Sequence, residues 1–360
     1  MILQHKCPNC GADMVFDPNS GMLSCESCGT QENIANMPKI DPDDTDEVMG
    51  DYEEVETSSS FQNFEDEDAR QYCCPNCGAV LVSTEETLST ICTFCGAGMI
   101  LGDRLGGDLA PAKLLPFTIT KQQAQDAFKR WCKKGLLTPK GFANADRIKN
   151  ITGLYVPFWL YDLNGQGEAG ATCTRVRTYQ EGNYDVTETK YYDVYRKVQV
   201  NYLKVPVDAS TKMDDDAMDK LEPFHYNDLK DFNTPYLSGY YAEKNDYTDK
   251  ELFPRVEKRS ANFVEDYIKG TIHGYSSTNF LYTNIHIQQK HAEYTLLPVW
   301  LVCYDYKNAE HNFMMNGQTG KIVGKPPLSV EKILKWFFGL SFIFLIIFKI
   351  IVYIIGGVLL

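Results

Sequence analysis

The chain has 360 residues, with 35 Lys and Arg against 48 Asp and Glu, for a formal net charge of −13. A content of 44% hydrophobic and 12% aromatic residues supplies a packed core and excludes a wholly disordered or collagen-like chain. The acidic balance excludes a basic coat for nucleic acid, and the length suits two or three domains.

The N-terminus, MILQHKCPNC, carries no apolar run ahead of its first cysteine pair, so no cleaved secretory signal is expected. The thiols are then expected in a reducing cytosol, where paired cysteines hold metal more often than they form disulfides. Residues 7–29 (CPNCGADMVFDPNSGMLSCESCG) repeat as residues 74–96 (CPNCGAVLVSTEETLSTICTFCG). Each copy places fourteen residues between two CxxC pairs and a glycine after each pair, namely Gly11, Gly29, Gly78 and Gly96. A knuckle that wraps its backbone around a metal needs a residue that tolerates positive φ at that point. The short apolar runs Met14-Val15-Phe16 and Val80-Leu81-Val82 read as strands. Two zinc ribbons are predicted, each holding one structural zinc ion. The ligands are Cys7, Cys10, Cys25 and Cys28 in the first, and Cys74, Cys77, Cys92 and Cys95 in the second. A thioredoxin-like redox pair would need a single CxxC opening a helix. Cys132, Cys173 and Cys303 read as small core hydrophobes, and Cys73 stands beside the second ligand set.

Between the ribbons, residues 41–68 hold thirteen acidic side chains and no Lys or Arg, which leaves 35 charges of each sign elsewhere. Self-repulsion should keep this linker extended and disordered, with the first ribbon held away from the second. Neither 23-residue ribbon contains Lys or Arg, so nucleic acid is disfavoured as a partner and protein contact is preferred.

From Leu114 the pattern becomes globular. Thr120-x-x-Gln123 is a capping box, and Ala124, Ala127, Phe128 and Trp131 share one face, which predicts a helix over 121–134 closed by Gly135. Strands are predicted at 156–162, 171–179 and 190–208. Helical sections follow at 214–222 and 248–270, the first with Asp214, Asp215 and Asp216 complementing its dipole. Further strands are expected near 280–290, 297–306 and 311–316, the last two joined by a hairpin at Lys307-Asn308-Ala309-Glu310. The stretches around Pro157 and Pro298, YVPFWLY and LPVWLV, resemble each other; a duplication and two independent core strands entered through proline both explain this.

Residues 336–360 hold eighteen Leu, Ile, Val and Phe, with Lys349 as the one charge. At roughly −0.3 to −0.6 kcal/mol each, these outweigh one lysine at about +3 kcal/mol, so a membrane span is predicted. Trp336 and Tyr353 are placed to mark its two interfaces. Lys321, Lys325, Lys332 and Lys335 precede the span, and the positive-inside tendency then keeps the bulk of the chain in the cytoplasm. The expected architecture is multidomain: a ribbon at 1–36, the acidic linker at 37–70, a second ribbon at 71–102, an α+β domain with mainly antiparallel sheet at 103–328, and a single-pass C-terminal transmembrane anchor at 331–360. GxxxxGK[ST], HExxH and GxSxG are all absent, so no enzyme and no small-molecule substrate are expected.

Both CPNCGA knuckles, LLPFTITKQQAQDAFKRW, GLYVPFWLYD, YLSGYYAEKND, LLPVWLV and NGQTGKIVG together resemble a family of bacterial TFIIB-type zinc-ribbon-containing membrane proteins, some titled replication-restart (primosomal) helicase. The resemblance implies zinc at the eight paired cysteines and a non-enzymatic role, in some members near membrane-stress coat proteins or SPFH-domain scaffolds. No NTP-binding motif matches, so the helicase title is not carried over. The expected function is a membrane-anchored scaffold or adaptor on the cytosolic face with protein partners. The alternative is a nucleic-acid-binding replication accessory protein with structural ribbons and no helicase activity; a third reading is an enzyme built around Trp159 and Trp300.

Overall fold

The computed structural model describes residues 2–37, 69–77, 80–84, 87–93, 97–101, 111–139, 142, 148–306 and 309–356. The acidic linker and Cys95 lie outside the described residues. Ribbon 1 comprises β1 (Ile2–Leu3), β2 (Met14–Asp17), β3 (Met22–Cys25) and β4 (Gln31–Glu32); β2, β3 and β4 form one antiparallel sheet. Ribbon 2 comprises β5 (Ala69–Cys73), β6 (Val80–Thr84), β7 (Thr87–Ile91) and β8 (Gly98–Leu101), paired β5 with β6 and β7 with β8.

The body runs β9 (Lys113–Leu114), α1 (Lys121–Lys134), β10 (Ile148–Glu181), β11 (Tyr184–Asp208), α2 (Asp215–Lys220), β12 (Lys230–Asp231), β13 (Tyr241–Glu243), α3 (Asp249–Thr271), β14 (Ser277–Tyr306), β15 (Ala309–Asn316) and β16 (Ile322–Val323). The apolar helix α4 (Val330–Gly356) follows. α1 begins and ends where its capping box places it: Thr120 Oγ1 accepts from Gln123 N at 3.3 Å and Gln123 Oε1 accepts from Thr120 N at 2.9 Å. Asp214 caps α2 by accepting from Ala217 N at 2.8 Å.

The strands depart from expectation in length. The runs expected at 156–162 and 171–179 are one 34-residue strand, and those at 280–290 and 297–306 are one 30-residue strand. Asn164-Gly165-Gln166-Gly167 has turn composition, yet the glycines serve packing. A Cβ at Gly167 would lie 2.7 Å from Ile268 Cδ1 and 2.8 Å from Val264 Cγ1, so the bare backbone lets α3 rest on the sheet.

β10 and β14 lie side by side at the centre, and the body is symmetric about their contact. Tyr155 faces Pro298 and Pro157 faces Leu296. On its outer edge β10 pairs first with β13, in parallel, at Leu154 and Tyr155, and then with β11 from Phe158. β14 pairs first with β9, in parallel, at Thr295 and Leu296, and then with β15 from Val299. Each proline sits where the outer neighbour changes, so its missing N–H breaks no ladder. Pro157 O accepts from Ala209 N at 2.9 Å and Pro298 O from Gly317 N at 2.8 Å. Trp159 Nε1 donates to Tyr247 O at 2.9 Å and Trp300 Nε1 to Ile119 O at 3.1 Å. Two units, β9-α1-β10-β11 and β13-α3-β14-β15, thus exchange their first strands and cross-brace through their tryptophans. The two proline-containing stretches occupy equivalent places in an approximately two-fold arrangement.

The units differ in their hairpins. The two long helices cover the same sheet face at different places, with Phe128 and Trp131 of α1 packed on Phe313 of β15 and Val264 and Ile268 of α3 packed under β10. The β10–β11 hairpin, however, continues as an arm whose base, as far as Cys173, is buried against α3 and Ile272 and whose remainder runs on past them. From Leu163 to its Gly182–Asn183 turn, where Gly182 adopts φ +63°, the arm extends about 60 Å at ~3.3 Å per residue. β14 accompanies it as far as Ser277, opposite Thr174.

Ribbon 1 is not held at a distance. Ile2 and Leu3 of β1 pair with Leu101 and Ile100 of β8, and β7 pairs with β13, so strands from both ribbon regions join the body's sheet. Phe16 packs on Tyr236 with ring centroids 5.2 Å apart, and its N–H donates to Ser238 O at 3.0 Å. Gly239, at φ +86°, brings its backbone against Val15 of ribbon 1 and near Gly98 of ribbon 2, which gives the YLSGYY segment its role as a junction. Apolar burial of this kind outweighs linker repulsion because closing a long loop costs free energy only logarithmically in its length.

Candidate metal centres

Cys7, Cys10, Cys25 and Cys28 converge with all four sulfur atoms within 4.8 Å of one another. Cys7 Sγ stands 3.5 Å from Cys28 Sγ, and Cys10 Sγ stands 3.5 Å from Cys25 Sγ. Thiolates bound at ~2.3 Å to one tetrahedral zinc ion are about 3.8 Å apart, so the quartet has the dimensions of a closed site. Two matching turns build it. Cys7 N donates to Ala12 O and Cys25 N to Thr30 O, each at 2.8 Å. Gly11 N and Gly29 N return to Cys7 O and Cys25 O, with φ of +74° and +76°. That conformation is why glycine follows each pair.

In the second ribbon Cys74, Cys77 and Cys92 converge within the same limit, and Cys77 Sγ lies 3.8 Å from Cys92 Sγ. Cys92 N donates to Ala97 O at 2.8 Å, the same knuckle bond as in ribbon 1. The fourth predicted ligand, Cys95, lies outside the described residues. In both ribbons the first cysteine of each described pair is buried, and Cys10, Cys28 and Cys77 face outward.

Charge accounts for the fit to a dication. The Thr30 hydroxyl, 3.0 Å from Cys28 Sγ, and then the Thr30 amide hold the Cys28 thiol down to about 6. The Ala12 amide pulls Cys10 the same way, but the sulfurs of Cys28 and Cys25 outweigh it and push Cys10 up to about 12. Thiols this close cannot all ionise without a cation among them, and a divalent metal removes the conflict. With four protein sulfurs no coordination position is left for substrate, so the zinc is structural. Cys132 and Cys173 are buried away from either centre, as small apolar residues.

Residues 5–38 match the TFIIB zinc-binding family. Over 341 residues, 95% of both chains, the sequence is 51% identical to the uncharacterized protein YdjG of Bacillus subtilis (strain 168). The chain belongs to the YdjG family. No solved structure matches it.

Outside the metal centres, the two similar segments around Trp159 and Trp300 border an aromatic core. Phe117 stacks on Tyr240 at 4.3 Å and meets Tyr155 and Trp300 edge-on at 5.0 Å each. A cleft of about 590 Å³ opens beside it, between ribbon 1 and the body, with Asp17, Glu26 and Lys121 among its lining residues. Sequence reasoning missed a further cluster. Arg255 and Arg259, one turn apart on α3, clasp α2: Arg255 reaches Asp208 at 3.1 Å, Asp215 at 2.9 Å and Asp219 at 3.0 Å, and Arg259 reaches Asp219 at 2.6 Å. The matching four-residue spacings of Asp215 with Asp219 and Arg255 with Arg259 were its signal.

α4 is long and apolar enough to cross a membrane. Its candidate span, Val330–Tyr353, has a mean hydropathy of 2.3 and none of its most apolar stretch is buried against the body.

Proposed function

We propose that the chain is a non-catalytic scaffold or adaptor, anchored in the membrane by α4 with its ribbons and body on the cytosolic face. The observation that carries this reading is the opposed placement of arm and anchor. The arm leaves one end of the β10–β14 sheet. α1 packs on β15 at the other end, and three residues after α1 Leu137 O accepts from Ser329 N at 2.8 Å, directly before α4. A chain anchored through α4 therefore points the arm away from the bilayer, its last ~25 Å, beyond Thr174, free of α3 and β14. Tyr184, Tyr191 and Tyr195 stand exposed along it, side chains that bind partners at low entropy cost. The Lys residues ahead of the span support the cytosolic orientation. Partners of the membrane-stress coat or SPFH type suit such a scaffold.

Carbonate extraction of membranes tests the anchor: the full chain is expected in the pellet and a chain ending at Ser329 in the supernatant. Cross-linked capture from membranes tests the scaffold, comparing the full chain with a variant in which a two-residue turn joins Ala171 to Val194. Partners retained by the shortened arm count against its role, and salt-sensitive DNA binding by the full chain would favour the nucleic-acid accessory reading. Elemental analysis is expected to find two zinc ions per chain.

A further inference from the structure

α4 does not leave the body from a neutral surface. The bond from Ser329 N to Leu137 O ties the start of the span to the turn that follows α1, and Ser329 Oγ accepts from Lys332 N at 3.3 Å to begin the helix. Around this tie, Arg130, Lys133 and Lys134 stand exposed on the last turns of α1, Lys325 stands exposed ahead of Ser329, and Lys332 is half-buried in the first turn of α4. Among the described residues no carboxylate forms an ion pair with any of these five. Glu331, the acidic residue in that first turn, is taken by Lys335. Set among the cations are three apolar side chains that the body leaves in water: Leu136 at 62% exposure, Leu328 at 63% and Val330 at 70%.

Resting on the anchor reading above, we propose that this rim is a second membrane contact. In it, the C-terminal turn of α1 and residues 325–332 seat the body on anionic phospholipid headgroups of the bilayer that α4 spans. Height supports it. With Trp336 at the edge of the hydrocarbon, Ser329 stands seven residues, or about 10 Å, further out. The headgroup layer is ~5–8 Å thick on each side, within reach of lysine side chains. Composition supports it as well, because an unpaired basic cluster beside exposed leucines fits an anionic interface, where phosphates take the charge and the leucines enter the acyl boundary. The consequence is orientation: one flexible tether would let the body swing, whereas two contacts hold the arm away from the membrane.

Amine-reactive labelling of the full chain tests this in nanodiscs of phosphatidylcholine alone and of phosphatidylcholine mixed with phosphatidylglycerol. Lys133, Lys134, Lys325 and Lys332 are expected to react about fivefold more slowly in the anionic discs. Lys190 and Lys197 on the arm serve as unchanged references. Raising the salt should restore the rates. In a variant carrying Arg130→Gln, Lys133→Gln and Lys134→Gln, Lys325 and Lys332 should regain reactivity in anionic discs while the chain still co-elutes with the disc. Equal rates in the two lipids, with the chain in the disc, overturn the second contact and leave the anchor standing. A chain that fails to enter either disc overturns both.

Discussion

Asp208 in the first unit of the body and Asn316 in the second occupy matching places, each paired with the residue after the proline, Phe158 and Val299 respectively. Both are buried. The Asn316 side chain is satisfied on every side, donating to Leu221 O and Pro223 O at 3.0 and 3.1 Å and accepting from Gln318 N and Thr319 N at 2.9 Å each. Asp208 has Arg255 on Oδ1, while its buried Oδ2 has no partner among the described residues. Burial raises its carboxyl to about 6 against the pull of Arg255. A neutral amide closes a corner by itself. A buried carboxylate in the same corner draws in a cation, and here that cation extends from α3 to fasten α2. The unit with the charge is also the unit with the arm.

The most severe test of the equivalence of the two units lies in their tryptophans. Trp159→Ala and Trp300→Ala should each cost roughly 3–5 kcal/mol in denaturant unfolding of the full chain in detergent, since each removes a large buried ring and the brace to the other unit. If either cost less than about 1 kcal/mol, the symmetric bracing would be refuted. Asp208→Asn makes the units more alike and should act through pH. The folded pKa of about 6 exceeds the unfolded value of ~3.9, so the native carboxyl's favourable contribution is complete below about pH 4 and is lost as pH rises through 6. The stability of the Asn variant relative to the native chain should therefore rise by about 2–3 kcal/mol between pH 4 and pH 7. A flat difference would mean that Arg255 compensates the burial in full.

Gly167→Leu should destabilise by about 1–3 kcal/mol, because the new side chain must enter the space held by Ile268 and Val264. Hydrogen exchange on the arm beyond Gly167 would rise with it, and an unperturbed arm would argue that α3 does not hold it. Smallest are the caps. Thr120→Ala and Thr248→Ala each remove a capping box, and each should cost ~1 kcal/mol; unequal costs would show that the two helices rely on their N-termini differently.

Local chemistry was legible in advance wherever it is settled within a few residues. Cys7, Cys10, Cys25 and Cys28 form their knuckles through bonds between neighbours, and the Thr120 and Asp214 caps close within one turn. The arm was not legible, because Gly165 and Gly167 carry turn composition and only α3, about a hundred residues later, explains them as strand. Ribbon 1 misled for the opposite reason: the charge of its linker is conspicuous, while the contacts that outweigh it, Phe16 with the body and Ile2 with ribbon 2, are scattered across the chain.

What the sequence by itself determined is the grouping of the seven described cysteines, the caps and the apolar span, since cysteine spacing, capping geometry and hydropathy act over distances shorter than one element. The tertiary structure alone decided the exchange of β9 and β13 between the units, the seating of both ribbons on one sheet, and the placing of the arm opposite the anchor. Those are pairings between distant segments, and each is chosen by the surface that another segment happens to leave open.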